Sequence, residues 1–443
     1  MKRRGLLQGA AAWAAFSWVD RSAIASPRTP YGGKLSLHIP WPLGRLDPHA
    51  ADDVMAACFG SALFDTLFDR DPRGSVKPSL ADGFPEREGG GLRVRLRSGV
   101  RFASGRALDS RAAAASIERA RSRGACAWLA GVPTAHADGD GLFFAMRDSS
   151  ALVRALCSPM VAVVPPHFAP DRPDGTGPFR AQEGPDGLRL IRNTLAASGP
   201  SYLDALDVVR APDLATSLRA FESGADDVGW LGSFLHEPRL GAGSFDAGPI
   251  AWAILRTGRE AGALDVPGMA QALANGVRYE ALAPLVVGPR WSSTPAPWTG
   301  APCDLLVRDD APWLIELART VAASTSSPSR EIAARLTSPS EIARRRSTRS
   351  YALMMDVACP VGPEDLGAVI GLATANDAVG AESLELHPPL ALPAPRDATR
   401  AMRIGVVAEI RLQGGRAEDV VLPPSAWGRG LAWGDAFRRS VLA

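Results

Sequence analysis

The sequence predicts a globular protein of the α/β or mixed α+β class. Segments with strand-like alternation and segments with helical spacing follow one another along the chain instead of separating into blocks. The 443 residues are 46% hydrophobic and 22% charged, a composition that excludes disordered, collagen-like and coiled-coil proteins. The longest apolar stretch, residues 9–19, is too short to cross a bilayer. At this length we expect two or three domains.

In the first half of the chain, each predicted element rests on the spacing of its apolar residues. Alternation of apolar and polar residues predicts strands at residues 34–40, 92–97, 142–146 and 188–191. Apolar residues at helical spacing predict helices at residues 53–68, 110–121, 149–156 and 213–222. Asp109 is the expected N-cap of the second helix. The segment 161–178 is rich in Pro and Gly, which indicates a crossing between domains.

The second half of the chain continues the same alternation. Strands are predicted at residues 227–230, 250–255, 303–307, 331–336, 351–355 and 403–410. Helices are predicted at residues 266–275, 278–286, 311–323, 339–347 and 433–441. A loop rich in Pro, Trp and Ser separates the second of these helices from the strand at residue 303.

Residues 1–25 follow the plan of an export signal: basic residues, an apolar stretch, then small residues. The sequence Ala23-Ile24-Ala25 fits the cleavage rule and predicts cleavage before Ser26. The pair Arg3-Arg4 and the weakly hydrophobic stretch predict the twin-arginine route, with an ordinary signal peptide as the alternative. We therefore expect a periplasmic protein.

Charge and motifs exclude several classes of function. The net charge is only +2, and residues 1–25 alone carry +3. The remainder therefore carries about −1, which argues against nucleic-acid binding. The sequence contains no H-E-x-x-H, G-x-S-x-G or P-loop motif and no G-x-G-x-x-G after a strand. We expect no catalytic residues, no metal site and no cofactor. The pairs Asp226-Asp227 and Asp309-Asp310 are interpreted as turn residues, and Arg344-Arg345-Arg346 as a solvated helix face with Glu341 rather than a basic patch.

The five cysteines show no C-x-x-C spacing, which excludes the common zinc and thioredoxin-like motifs. They are Cys58, Cys126, Cys157, Cys303 and Cys359. We interpret them as small buried residues, with one disulfide as the alternative.

From Leu46 onward, five motifs in order resemble the extracellular solute-binding proteins of family 5, the dipeptide, oligopeptide and nickel-binding group of ABC importers. These motifs are Leu46-Asp47-Pro48-His49, the helix at 62–67, the segment 78–84, the hairpin from Leu96 through Gly105, and Gly175-Thr176-Gly177-Pro178-Phe179. We expect Gly99 and Gly105 to permit tight turns, and Gly175 and Gly177 to adopt conformations that other residues resist.

The resemblance implies a fold of the periplasmic-binding-protein-like II type, with two lobes, a hinge and an extra domain. Lobe I would comprise residues 26–50, 172–245 and 400–443. The extra domain would comprise residues 51–171, and an abbreviated lobe II residues 246–399. Ligand would lie in the cleft between the lobes, which close by hinge motion.

The resemblance also implies ligand-binding residues. Asp52, Asp53 and Val54 follow the first motif, where relatives contact their ligand, and Asp52 is the candidate partner of a cationic group. The alternative for these acids is stabilisation of a helix N-terminus. Trp252 is a candidate cleft wall or a core residue.

One departure affects the site. Peptide-binding members carry an aspartate shortly after the strand that matches residues 351–355, and Cys359 stands near that position. Asp356 could substitute only in a shifted register.

We therefore expect a monomeric, non-enzymatic solute-binding protein that delivers its ligand to ABC permease and ATPase subunits. Peptides are the leading solute class, ahead of nickel chelates, glycosides and other polar solutes. A degenerate binding protein that acts as a ligand sensor or accessory factor is the alternative.

Overall fold

A computed structural model describes most of the chain after the predicted leader. The described residues are 29–43, 45–71, 73–184, 187–230, 241–277, 295–362, 364–375, 402–425 and 430–439. The leader and the helix predicted at 278–286 lie outside them. Within these ranges, no helix combines the length and the apolar character needed to cross a membrane.

Helices and strands alternate along the described chain. The helices are α1 (Val54–Leu63), α2 (Ser110–Arg121), α3 (Ser149–Leu156), α4 (Leu214–Glu222), α5 (Met269–Gly276), α6 (Pro312–Thr325), α7 (Pro339–Thr348) and α8 (Glu364–Ala375). The strands are β1 (Lys34–Ile39), β2 (Phe68–Arg70), β3 (Val76–Pro78), β4 (Glu86–Glu88), β5 (Gly91–Arg95), β6 (His136–Asp138), β7 (Gly141–Phe144), β8 (Phe179–Gly184), β9 (Gly187–Arg192), β10 (Ala205–Arg210), β11 (Val228–Trp230), β12 (Ala242–Thr257), β13 (Cys303–Arg308), β14 (Ile332–Thr337), β15 (Leu353–Ala358), β16 (Ile404–Ala417), β17 (Val420–Val421) and β18 (Phe437–Arg438).

The first sheet contains four strands in the order β1-β10-β9-β8. Strand β1 runs parallel to β10, and the other neighbours are antiparallel. Leu35, Leu37 and Ile39 of β1 are buried and alternate with more exposed residues, as expected for a sheet with one face on the core.

The six-stranded sheet has the order β11-β16-β12-β15-β13-β14. All six residues of β15 are buried, which is typical of a strand covered on both faces. The two long strands β12 and β16 pair antiparallel from Ala242 opposite Ala417 to Arg256 opposite Ile404. Their register shifts at three places, the first between Asp246 and Pro249. These shifts mark irregularities of the β-bulge kind, at which a strand bends.

The inserted sheet, β4-β5-β7-β6, packs under α2 and has a core of its own. Leu92, Val94, Ile117 and Phe144 belong to this core. The domain boundaries expected from the sequence stay a prediction.

Two predicted helices are wrong in extent or type. The helix expected at 53–68 ends at Leu63, because Phe64 is extended and β2 pairs with β3. The helix expected at 433–441 is a short 3₁₀ turn at Trp433–Asp435 followed by β18, which pairs with β17. Pairing with a neighbouring strand overrides local helical spacing in both places.

The glycine predictions are half confirmed. Gly99 and Gly105 have φ of 77° and 87°, in the left-handed region that favours glycine. Gly175 and Gly177 do not have positive φ, so the expected reason is wrong. A Cβ at Gly175 would lie 2.1 Å from the carbonyl oxygen of Leu63, and one at Gly177 would lie 2.6 Å from its carbonyl carbon. These glycines are therefore needed for the close approach of the turn to the end of α1.

Candidate functional site

The first motif places a charged cluster at the entrance to α1. Both oxygens of Asp47 accept hydrogen bonds of 2.8 Å from the Arg119 guanidinium on α2. Burial would raise the pKa of Asp47, but Arg119 outweighs this and holds the pKa below its usual value. His49 is fully buried, its Nε2 lies 2.8 Å from the Ala162 carbonyl, and its Nδ1 lies 2.7 Å from Arg119. Burial lowers the pKa of His49 to about 4, so the ring is neutral at physiological pH.

Asp53 is the N-cap of α1. Its Oδ1 accepts from the Ala56 N–H at 2.9 Å, and its Oδ2 accepts from the Asp47 N–H at 2.8 Å. Loss of hydration nevertheless raises the pKa of Asp53 to about 7. Asp53 thus has the role that the helix alternative predicted, and it also lines a cavity described below. Val54, the first helical residue, is buried.

Asp52 forms an ion pair with Arg346 of α7. The Arg346 Nη1 lies 2.7 Å from Asp52 Oδ2 and 3.0 Å from Asp356 Oδ2, so one nitrogen joins two carboxylates. Asp356 also accepts from Arg256 Nε at 3.0 Å. Burial would raise the pKa of Asp356, but the two guanidinium groups hold it below its usual value. The structure therefore brings Asp52 and Asp356 together through a residue that was interpreted as solvated.

Cys359 follows β15 and lies against the segment before α1. Its N–H donates to the Ala51 carbonyl oxygen at 2.6 Å. The side chain is buried as a free thiol, and burial raises its pKa well above the usual range. This backbone bond joins the end of a strand of the six-stranded sheet directly to the loop that carries Asp52 and Asp53.

Trp252 lies in β12 and is buried in an apolar cluster with residues of α8 and the start of β16. Val369, Leu372 and Ile404 belong to the same cluster. Trp252 is not among the residues that line the cavity. The structure thus places it in the core, which is the packing alternative.

A cavity of about 830 Å³ lies beside Asp53 and Cys359. It extends between α1, the loops next to the inserted sheet, and residues 423–425 and 430–435. Its charged lining residues are Asp53, Asp65, Asp69, Asp435, Arg70, Lys77 and Arg97. Cavities of this size, with a few polar groups among apolar walls, are typical of small-molecule sites. Groups of both signs suit a solute that carries both charges.

Asp65 is a further acid in the wall of this cavity. Burial raises its pKa to about 6, although its Oδ2 accepts from the Thr176 hydroxyl at 2.8 Å. Asp69 lies 3.7 Å from the Lys77 ammonium. Among the described residues, no group of three or more His, Cys, Asp or Glu side chains is placed to hold a metal ion.

Sequence reasoning missed Arg346 because its two neighbours behave as expected. The guanidinium groups of Arg344 and Arg345 both bond to Glu341 on the same helix, at 2.7 and 2.8 Å from their Nε atoms. A helix of this length exposes one face and turns another inward, so a run of three arginines cannot all face solvent alike. That geometry was the signal available in the sequence.

No protein-family model and no curated protein matches the chain. Solved structures do match it over nearly its full length. The oligopeptide-binding protein AppA from Bacillus subtilis, in complex with a nonapeptide, has a TM-score of 0.68 at 13% identity, covering 93% of this chain and 100% of its own. A dipeptide-binding protein from a Pseudoalteromonas species, in complex with Met-Leu, has a TM-score of 0.70 at 12% identity, covering 92% and 100%.

A third similar structure is MoaA from Agrobacterium tumefaciens R10, in complex with mannopinic acid. Its TM-score is 0.67 at 14% identity, covering 93% of this chain and 100% of its own. The chain thus has the two-lobed periplasmic-binding-protein-like fold, and the resemblance inferred from its motifs is confirmed at the level of the fold.

Proposed function

We propose that the protein is the periplasmic solute-binding component of an ABC importer. It would capture a small peptide or a similar polar solute in the cavity described above and deliver it to a permease. The charged residues of that cavity belong to the expected lobe I and extra domain, and Cys359 and Pro360 of the expected lobe II contribute to its wall. The observation that carries the proposal is the cavity of about 830 Å³, which has acidic and basic side chains in its walls. A short peptide carries an ammonium and a carboxylate, and this lining offers partners to both.

The fold supports binding rather than catalysis. The similar structures described above hold a nonapeptide, a dipeptide and mannopinic acid. The solute of this chain is of the same broad kind in our proposal: small, polar and charged. The export signal predicted at residues 1–25 supports a periplasmic location in this proposal.

Native mass spectrometry of protein purified from periplasm, without added ligand, tests the proposal. We expect a mass excess that disappears on denaturation, and its value distinguishes a peptide from a metal complex. Calorimetry with the identified solute should then give a Kd at least fivefold higher for Lys77→Met than for the wild type, since this variant removes a charged group from the cavity wall.

The matched control is Arg95→Met, because Arg95 is exposed on the inserted sheet and is not a lining residue. Its Kd should equal that of the wild type. A wild-type protein that stays bare after incubation with a peptide mixture would contradict the proposal.

A ligand sensor is the second candidate, and direct contacts of the loop before α1 favour it. Arg346 of α7 pairs with Asp52, and Cys359 after β15 bonds to Ala51, so this loop is held by the chain itself. The two candidates differ in their partner. Solute-loaded protein should stimulate ATP hydrolysis by a permease and ATPase complex in proteoliposomes if it serves an importer, and should have no effect there if it is a sensor.

A further inference from the structure

Arg346 is held differently from the arginines beside it. Glu341 binds Arg344 and Arg345, whereas Arg346 extends from the same helix toward the loop before α1. Its Nη1 lies between the carboxylates of Asp52 and Asp356, at 2.7 and 3.0 Å. The side chain is 25% exposed, so most of it is withdrawn from solvent.

The two carboxylates differ in how much they depend on Arg346. Asp356 retains Arg256 as a second cation at 3.0 Å. For Asp52, Arg346 is the cation that lies within 4 Å in the part of the chain that the structure describes. The side chain of Asp52 is 36% exposed, so a small molecule in solution can reach it. Without Arg346, Asp52 would present a carboxylate to a ligand. Arg308 is another cation that acts on Asp52, but it is paired with Asp310.

A guanidinium between two carboxylates has the same chemistry as a cationic ligand in an acidic subsite. Two cations cannot occupy this position at once, because like charges at contact distance repel and the space is already filled. Asp53 and Cys359, the neighbours of this pair in sequence and space, line the cavity. The position filled by Arg346 therefore borders the space proposed for the solute.

We propose that Arg346 is a specificity-determining residue, whose guanidinium fills the cation subsite of Asp52 and Asp356 and excludes solutes with an ammonium or guanidinium group there. The inference rests on the proposed solute-binding function and narrows its substrate class. The accepted solute has a neutral or anionic group at the end nearest Asp52. Its cationic group, where it has one, lies toward the other acids of the cavity.

Removal of the Arg346 side chain should open this subsite to an external cation. We would measure the binding of ethylguanidinium chloride by calorimetry to wild type, Arg346→Ala and Arg344→Ala. The Kd for Arg346→Ala should be at least tenfold lower than for wild type. Arg344→Ala is the matched control, since its arginine lies on the same helix but pairs with Glu341, and it should behave as wild type.

A second substitution identifies the carboxylate responsible. Adding Asp52→Asn to Arg346→Ala should abolish the gain, because the charged acceptor is removed. We expect Arg346→Ala to fold, since Asp52 becomes hydrated and Asp356 keeps Arg256. Arg346→Gln, which retains a polar side chain, is measured in parallel, and circular dichroism verifies that each variant is folded.

Folded Arg346→Ala or Arg346→Gln that binds ethylguanidinium no better than Arg344→Ala overturns the inference. This failure is distinguishable from failure of the proposed function. If the wild type binds a solute and the variants gain nothing, the function stands and Arg346 is structural. If the wild type binds no solute while the variants gain ethylguanidinium, the subsite stands and the proposed function fails.

Discussion

At the residue scale, the buried carboxylate of Asp47 stays charged because a guanidinium covers both of its oxygens. Arg119 makes that contact at 2.8 Å and also bonds to His49. The second basic neighbour, Arg123, lies 3.9 Å from Asp47 and is 54% exposed. Two arginines thus approach one acid with different geometry and burial.

Substitution of Arg119, which is 19% exposed, should be far more costly than substitution of Arg123. Arg119→Met leaves Asp47 buried without its main partner, and we expect a loss of about 3–5 kcal/mol in the free energy of unfolding. Arg123→Met should cost less than about 1 kcal/mol, because exposed ion pairs contribute little. Urea denaturation followed by circular dichroism measures both values. Equal losses would show that Asp47 does not depend on the bidentate contact.

At the element scale, the end of α1 and the turn before β8 pack too closely for any side chain at the turn's glycines. Ala103 donates its N–H to the Gly175 carbonyl at 2.8 Å, and Gly177 donates its own to Leu63 at 2.9 Å. The turn thus joins the inserted sheet's hairpin to α1.

Gly175→Ala should therefore lower the free energy of unfolding by about 1–3 kcal/mol, since the added methyl would overlap the Leu63 carbonyl. The control is Gly83→Ala, where nothing lies within 4 Å of the new Cβ and φ is not in the left-handed region. Its stability should be unchanged or higher by up to about 1 kcal/mol. Thermal denaturation of both variants measures these changes. A Gly175→Ala variant as stable as the wild type would argue against the close approach.

Local elements were largely predictable from the sequence, whereas contacts between distant elements were not. The helix at 110–121 with its Asp109 cap is confirmed to the residue, because a capping acid and helical spacing are local signals. The strand β18 depends on pairing with β17, which helical spacing cannot report. Likewise the motifs indicated Asp52 and Asp53, but the arginine that reaches Asp52 lies 294 residues away.

At the scale of the whole molecule, the rate at which each thiol reacts depends on how far the protein buries it. All five are free; Cys126 is exposed, Cys303 is partly buried, and Cys58, Cys157 and Cys359 are buried. The disulfide alternative is therefore wrong for this structure. Cys359 differs from the other buried thiols because it lies beside the cavity, next to the backbone bond to Ala51.

Thiol titration without reductant should show one fast thiol in the native protein and five after denaturation. Cys126→Ser should remove the fast phase, since only exposed thiolates react readily. Cys359→Ser should remove a slow phase that depends on opening of the cleft. Fewer than five thiols after denaturation would indicate a disulfide in solution, and rapid modification of Cys359 would indicate an open resting state.

The paired strands β12 and β16 have a mechanical consequence. They run side by side through the six-stranded sheet, where β11 joins one end and β15 the other, and their register slips at three points. A connection of this kind resists stretching and shearing, because its ladder of hydrogen bonds would have to break, yet it twists and bends where the ladder is irregular. Rotation of one end of the β12–β16 pair relative to the other would twist the two strands and raise their conformational energy. The resting angle would then be set by these two strands, and the ion pair of Arg346 with Asp52 would also oppose a return to that angle.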